Sequence, residues 1–486
     1  MWLPWVPLCS LRKKVPTNLK GADMLEKKLI SQLQKIAGKE AVLTAKEDLN
    51  AYSYDGTTIW AHLPDAVVLP TTTEQVSRIL KLANENRIPV TPRGAGTNVS
   101  GGSIPIKGGI VLCTTRMNKI LDINKTNLTA TVEPGVVLQD FNIALAKQGL
   151  FYPPDPQSFL GCTIGGTVAE NAGGPYCVKY GVTKQYVLGL EVVLADGYVM
   201  KLGGVTVKNR TGYELMMLFT GSEGTLGIIT KITLRLLPMP LTSKTMLAVF
   251  DDMAMGGQAV SNIMAGGVVP AKVEFVDNFV IRRIEEMTPM GLPVDAKALL
   301  LLQADGSPAA VEVESEQIVD ILKKSGAKEV KVAKDANEAA MYWKMRSGGF
   351  AAVFGAARTV MAEDVAVPRD KLAEFIRKLG EISQRTGFFI QYLGHAGDGN
   401  LHPSIFTDIR DKENFAKAQK TMEEIFDAAL SLGGVLSGEH GIGLEKQRFL
   451  KRAMDPVALD IMKKIKRMLD PNNILNPGKI WEEEGA

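Results

Sequence analysis

Apolar residues recur at helical spacing over 25–37 and again over 73–86, where Val76, Ile79, Leu80 and Ala83 share one face. Threonines at the entry to the second segment offer oxygens that can cap a helix. Short apolar runs bounded by turn residues predict strands at 66–70 and 88–91, the latter running into a loop at 92–98. Strand patterns then dominate, at 110–113, 129–133, 187–194, 198–201 and 228–236. Ala195-Asp196-Gly197 joins two of these as a hairpin turn.

The pattern changes after Pro238 and Pro240, which mark a boundary. Over 241–430, strands at 245–250, 298–303 and 388–393 alternate with amphipathic helices at 251–265, 310–325 and 370–386. This order predicts an antiparallel sheet covered by helices, hence an α+β class. Two further helices fall near 414–431 and 456–469, and prolines and asparagines hold 470–479 extended. The expected division is 24–240, 241–430 and a C-terminal segment 431–486.

A length of 486 residues exceeds one hydrophobic core. With 45% hydrophobic and 22% charged residues, the composition is that of an ordinary globular protein. A net charge of +3 supplies no electrostatic footprint for nucleic acid. Lys463, Lys464, Lys466 and Arg467 read as one solvated helix face. Cys9, Cys113, Cys162 and Cys177 form no CxxC pair, which excludes an iron–sulfur or zinc-finger framework and suits a reducing compartment. Residues 1–23 place their basic residues after the apolar run, the reverse of a secretory signal, and read as a disordered extension or a product of start-site choice. No apolar run is long enough to span a membrane. The expected location is cytoplasmic, and attachment to a membrane through a partner is compatible with it.

The chain's 47 glycines cluster in a few loops. In Arg93-Gly94-Ala95-Gly96-Thr97-Asn98 the glycines permit a backbone path that aims several N–H groups at one point, a nest suited to phosphate oxygens. Neither a GxGxxG opening a helix nor a GKS/GKT loop is present, so this is no Rossmann or Walker fingerprint. Four more loops are Glu133-Pro134-Gly135-Val136, Pro153-Pro154-Asp155-Pro156, the small-residue stretch 161–174 and the stretch 221–227. Together they suit a large cofactor lying across them.

Only 4 histidines occur. His62 is isolated, whereas His395 and His402 flank the turn sequence Gly397-Asp398-Gly399-Asn400, which can bring both imidazoles to one point. Glu439-His440 lies in a second glycine-bounded loop. Two histidines and a carboxylate with open positions form a catalytic metal arrangement suited to zinc, manganese or ferrous iron. Adjacent residues point in different directions, so one of Glu439 and His440 can be a ligand while its neighbour does different chemistry.

PRGAGTN at 92–98, IGGTVAENAGG at 164–174, GSEGTLGIIT at 221–230, GHAGDGNLH at 394–402, SGEHGIG at 437–443 and NPGK at 476–479 carry a family resemblance. The chain resembles the FAD-linked oxidase family with the vanillyl-alcohol-oxidase (PCMH-type) fold, in its glycolate oxidase/D-lactate dehydrogenase branch. The resemblance implies a two-subdomain FAD-binding domain and a substrate domain. It implies that Arg93, Gly94, Ala95, Gly96, Thr97 and Asn98 hold the pyrophosphate. Ser158, Thr163, Gly165, Gly166, Asn171 and Gly174 would line the isoalloxazine and ribityl part, and Gly227 and Ile229 the adenine or a ring edge. Pro134, Gly135 and Asn476 join this cofactor-binding set. Relatives with covalent flavin attach it through a histidine of the first loop or a cysteine of the third. The first loop has no histidine, and the branch resembles non-covalent members despite Cys162, so the FAD is expected to dissociate.

The same resemblance matches His395, His402 and Glu439 to metal ligands and His440 to the base. A 2-hydroxy acid can chelate a metal through its hydroxyl and a carboxylate oxygen, which lowers the hydroxyl pKa. His440 then accepts the proton, and hydride passes from the α-carbon to flavin N5. Arg346, in Tyr342-Trp343-Lys344-Met345-Arg346, is the candidate for the substrate carboxylate because its planar fork pairs bidentately. Dicarboxylate-specific relatives carry a lysine shortly before Asp-Val-x-Val-Pro. Here Met361-Ala362-Glu363-Asp364 stands there, which favours D-lactate or glycolate. Electrons must leave to a separate acceptor: an electron-transferring flavoprotein, an iron–sulfur subunit or a quinone. A homodimer is compatible with the sequence. Two rivals remain: an enzyme of alkyl-glycerone-phosphate synthase type, and a non-catalytic flavin-binding subunit.

Overall fold

The computed structural model describes residues 25–57 and 59–482. The expectation for residues 1–23 lies outside the described residues. The first helix, Lys27–Ala37, packs on helix Thr73–Glu85. Thr72 caps the latter, accepting from the Gln75 N–H at 3.2 Å, as the threonine-rich entry predicts.

Two sheets occupy the N-terminal half. In the smaller, Ile110–Cys113 lies between Ala66–Val68 and Val90–Arg93, all parallel, with Val42–Leu43 antiparallel at one edge. The other is antiparallel, in the order Ile120–Asn124, Thr129–Val132, Ile228–Arg235, Val187–Val193 and Val199–Gly203. The predicted hairpin joins its last two strands, and Gly197 supplies the positive φ (88°) of its turn.

An 8-stranded sheet dominates the second half, every neighbour antiparallel. Its order is Glu329–Val332, Thr242–Phe250, Ala298–Gly306, Lys272–Asp277, Ile390–Gly394, Asn400–Thr407 and Thr359–Ala362, with the short strand Val365–Ala366 also pairing with Asn400–Thr407. Strand side chains alternate between two cores. Met246, Ala248, Phe250, Leu300 and Leu302 meet helices Met253–Ala265, Pro308–Lys324, Leu372–Thr386 and Lys412–Ser431. Leu247, Val249, Leu299 and Leu301 face helices Asn278–Met287 and Ala336–Phe354. Both faces are therefore covered, and the α+β class holds.

Three expectations change. The stretch 161–174 is not one continuous loop, because Ile164–Glu170 is a helix capped by Thr163, whose Oγ1 accepts from the Gly166 N–H at 3.3 Å. Two adjacent glycines hid it, being poor helix formers unless packing rewards them. Arg93 closes a strand rather than opening a loop. The basic face of helix Pro456–Leu469 is not wholly solvated. Lys464 pairs with Asp460 at the surface, but Lys466 is buried, reaching the carbonyls of Thr225 and Leu475 and the Asp470 carboxylate.

Candidate active site

Three glycine stretches meet in the N-terminal half because their glycines lack a Cβ. A Cβ on Gly94 would come within 2.4 Å of Thr163 Oγ1, and one on Gly165 within 2.5 Å of the Pro134 side chain. The Gly165 N–H also donates to the Pro134 carbonyl at 2.8 Å. Gly135 sits equally close to the backbone of Thr114 and Met117. Gly94, Pro134, Gly135, Thr163, Gly165 and Gly166 therefore form one tight cradle. Ala95 and Thr97 crest the first loop and are exposed, free to meet a ligand with backbone N–H groups.

Other expected cofactor residues have roles within the protein. Arg93 folds its guanidinium beneath the first loop, against the Gly96 backbone, and donates to the Tyr54 carbonyl at 2.7 Å. Asn98 pairs with Asp55 and Ser103. Asn171 ends the helix in left-handed geometry (φ 53°), accepting from the Lys184 N–H. Ser158 offers its carbonyl to Gly161 and Cys162, and Gly174 lies against the Asp155 backbone. Gly227 packs on Val192, and the Ile229 side chain joins the core. Asn476 donates to the carbonyls of Gly102 and Glu223 at 2.8 Å each, which ties the C-terminal tail to the stretch 221–227 and to the segment that follows the first loop.

The histidines converge in the second half. His395 follows strand Ile390–Gly394, a short turn at Ala396–Asp398 reverses the chain, and His402 lies on strand Asn400–Thr407. Their rings are 5.3 Å apart. Glu439 completes the group: its Oε1 is 3.0 Å from His395 Nε2 and 3.5 Å from His402 Nε2. One ligand atom from each of the three lies within 4.8 Å of the others. His402 Nδ1 is buried without a hydrogen-bond partner, 3.7 Å from Asp364. Two imidazoles and a carboxylate brought this close, with little exposure, are a donor set that fits a divalent cation. His440 stacks on His402, with centroids 5.0 Å apart and planes within 7°.

Electrostatics follows from the packing. Burial would raise the Glu439 carboxyl, but His395, His402 and His440 outweigh it and hold it down to about 2. Burial, reinforced by His440, lowers His402 to about 3. Burial also lowers His440 below its ordinary value against the pull of Asp364 and Glu439, leaving a neutral imidazole able to accept a proton.

Two carboxylates that the sequence reading gave no role organise this cluster. Asp364 is fully buried and accepts from the N–H groups of Glu439 and His440 at 2.9 and 2.8 Å, from Ser437 Oγ and from Asn400 Nδ2. Glu274 is also fully buried and contacts both His395 and Arg346. Both lie on strands or strand ends far from the histidines in sequence, and only the Asp-Val-x-Val-Pro stretch hinted at one of them.

The cradle and the histidine cluster meet. A Cβ on Gly173 would lie 2.7 Å from Glu439 Oε2, and one on Gly441 2.5 Å from Glu170. Glu223 accepts from the Ile442 and Gly443 N–H groups at 2.7 and 2.8 Å. The loop carrying Glu439 and His440 is thus seated on two glycine stretches of the first half.

Residues 64–203 match the FAD binding domain family, and residues 239–480 match the C-terminal domain of FAD linked oxidases. Glycolate oxidase subunit GlcD of Bacillus subtilis is 43% identical over 461 residues, covering 95% of this chain and 98% of that protein. The chain belongs to the FAD-linked oxidase family. D-lactate dehydrogenase of Anaerostipes hadrus is 38% identical, covering 93% of this family member and 97% of that enzyme. Among solved structures, p-cresol methylhydroxylase superposes with a TM-score of 0.78 at 22% identity, over 94% of this chain and 97% of that one. An alkyldihydroxyacetonephosphate synthase superposes at 0.72 with 18% identity, over 93% and 86%. These place the fold in the PCMH type.

Proposed function

We propose that this FAD-linked oxidase is a dehydrogenase of a small D-2-hydroxy acid, D-lactate or glycolate, yielding the 2-oxo acid. The observation that carries this reading is the junction of His395, His402, Glu439 and His440 with the glycine cradle at Gly173. The names of the relatives from Bacillus subtilis and Anaerostipes hadrus support the substrate class.

In this reading the cradle holds FAD, and His395, His402 and Glu439 hold a divalent cation (zinc, manganese or iron). Bound there, the cation supplies Lewis acidity that lowers the substrate hydroxyl pKa, and FAD supplies the hydride acceptor. His440 takes the hydroxyl proton. Its side chain is 25% exposed, so the proton can pass on to water. Asp364 accepts from the successive backbone N–H groups of Glu439 and His440, which holds the base beside the cation ligands. Arg346, its Nε held by Glu274, would bind the substrate carboxylate through its terminal nitrogens. Burial pushes the Cys162 thiol up to about 11, which suits a non-nucleophilic side chain and a dissociable flavin.

The inferred division is 24–240 for FAD, 241–430 for substrate and 431–486 for the returning catalytic loop, supported by the break between sheets near Pro238. A separate protein or quinone takes the electrons, in keeping with the relative named as an oxidase subunit. No helix among the described residues is long and apolar enough to cross a membrane. The alkyl-glycerone-phosphate synthase reading shares the fold, but the histidine–carboxylate cluster favours the dehydrogenase. Anaerobic D-lactate and glycolate should bleach the flavin. A flavin that stays oxidised with every 2-hydroxy acid would sink the proposal.

A further inference from the structure

Glu274 lies on strand Lys272–Asp277, has no exposed surface, and uses its two carboxylate oxygens separately. Oε1 is 2.7 Å from His395 Nδ1. Oε2 accepts from Arg346 Nε at 2.6 Å. The two partners come from different elements: His395 from the end of strand Ile390–Gly394, Arg346 from the middle of helix Ala336–Phe354. Each is buried to within 5% of full side-chain burial. The strands of Glu274 and His395 are themselves paired, Phe275 opposite Gly394. The carboxylate therefore stands on a rigid frame and has no second conformation available without stranding a buried charge.

We propose that Glu274 is a two-armed positioning residue that sets the spacing between the cation held at His395 and the guanidinium fork of Arg346. This rests on the reading that His395, His402 and Glu439 hold a cation and that Arg346 takes the substrate carboxylate. With Nδ1 held by Glu274, the His395 ring is fixed so that Nε2, 3.0 Å from Glu439 Oε1, is the atom a cation would take beside Glu439. With Nε donated to the other oxygen, Arg346 keeps both terminal nitrogens for a bidentate carboxylate. A 2-hydroxy acid presents its hydroxyl and its carboxylate at a fixed separation. One side chain joining the two receptors keeps them in register with it.

The test uses the FAD-loaded full chain, stripped of cations, in the parent and in Glu274→Gln, with Glu274→Asp as a second variant. Glu274→Asp keeps the charge but is one methylene too short to reach both partners. Zn²⁺ affinity is read by competition with a chromophoric chelator, and FAD content and thermal midpoint are followed beside it. Glu274→Gln is expected to bind Zn²⁺ roughly 10- to 100-fold more weakly while retaining FAD. Its KM for glycolate and D-lactate should rise more than its kcat falls. Arg346→Lys should raise KM alone and leave Zn²⁺ affinity at the parent value, which a merely structural role would not produce. If Glu274→Gln does not fold, Glu274→Asp must show at least one of the two losses. A parent that binds Zn²⁺, with variants matching it in affinity and KM, overturns the positioning role alone. A parent that binds neither Zn²⁺ nor Mn²⁺ overturns the cation site itself, and the inference with it.

Discussion

Individual side chains in this protein do separable work. His440 is anchored by its backbone N–H to Asp364, a bond that loss of its ring leaves intact. His440→Ala should keep FAD and slow anaerobic flavin reduction by roughly 10³-fold, as for loss of a general base; stopped-flow reduction at the parent rate would refute the assignment. Glu363 offers a different residue-level check. It is buried, its Oε2 lies 3.7 Å from Lys446 without a hydrogen bond, and burial raises its carboxyl to about 8 against the pull of Lys446. The neighbouring Asp364, held well below the usual carboxylate range, therefore carries the charge that balances Lys446. A carboxyl raised on folding binds more protons in the native state, so its contribution to stability falls as pH rises from its unfolded value to about 8. Glu363→Gln should remove that decline, read as a thermal midpoint that varies less with pH across this window.

At the scale of elements, legibility followed periodicity. Helices Thr73–Glu85, Lys412–Ser431 and Pro456–Leu469 emerged within a few residues of where their apolar spacing put them. The helix Ile164–Glu170 did not, because its signal is a capping threonine followed by glycines that local propensity penalises. Packing overrides propensity here, since Gly165 lets the helix rest on Pro134. In Gly165→Ala the propensity gain of about 1 kcal/mol competes with a Cβ 2.5 Å from the Pro134 side chain and 2.9 Å from its carbonyl oxygen. The clash should win, costing about 1–3 kcal/mol. FAD retained per chain should fall while far-ultraviolet dichroism stays unchanged; full retention would show that the cradle tolerates the shift. Strands Lys272–Asp277 and Asn400–Thr407 were also missed, their polar residues breaking the apolar runs. Those residues, Glu274 and His402 among them, are site residues that the sheet has to carry inward.

Over the whole molecule, the feature that matters is the return of the chain after helix Lys412–Ser431. The loop bearing Glu439 and His440 leaves the large sheet and seats itself on Glu223 and on the Ser100 carbonyl, which accepts from Leu444. Glu223 holds a strained backbone (φ 50°) to do so. Glu223→Ala would leave the Ile442 and Gly443 N–H groups without their acceptor, at roughly 1–3 kcal/mol each. Faster amide exchange at 441–443 and a turnover lower by about tenfold are expected, with exchange across strands Ala298–Gly306 and Thr242–Phe250 unchanged. Exchange at 441–443 equal to the parent would show that Glu223 does not seat the loop. By itself the sequence determined the α+β class, the glycine stretches and the rarity and spacing of the histidines, because these are properties of local pattern and composition. Only the tertiary structure decided that Gly173 touches Glu439, that Glu274 joins His395 to Arg346, and that Lys466 is buried. Those contacts link residues far apart in sequence, and their partners are chosen by packing between elements, which no local pattern encodes.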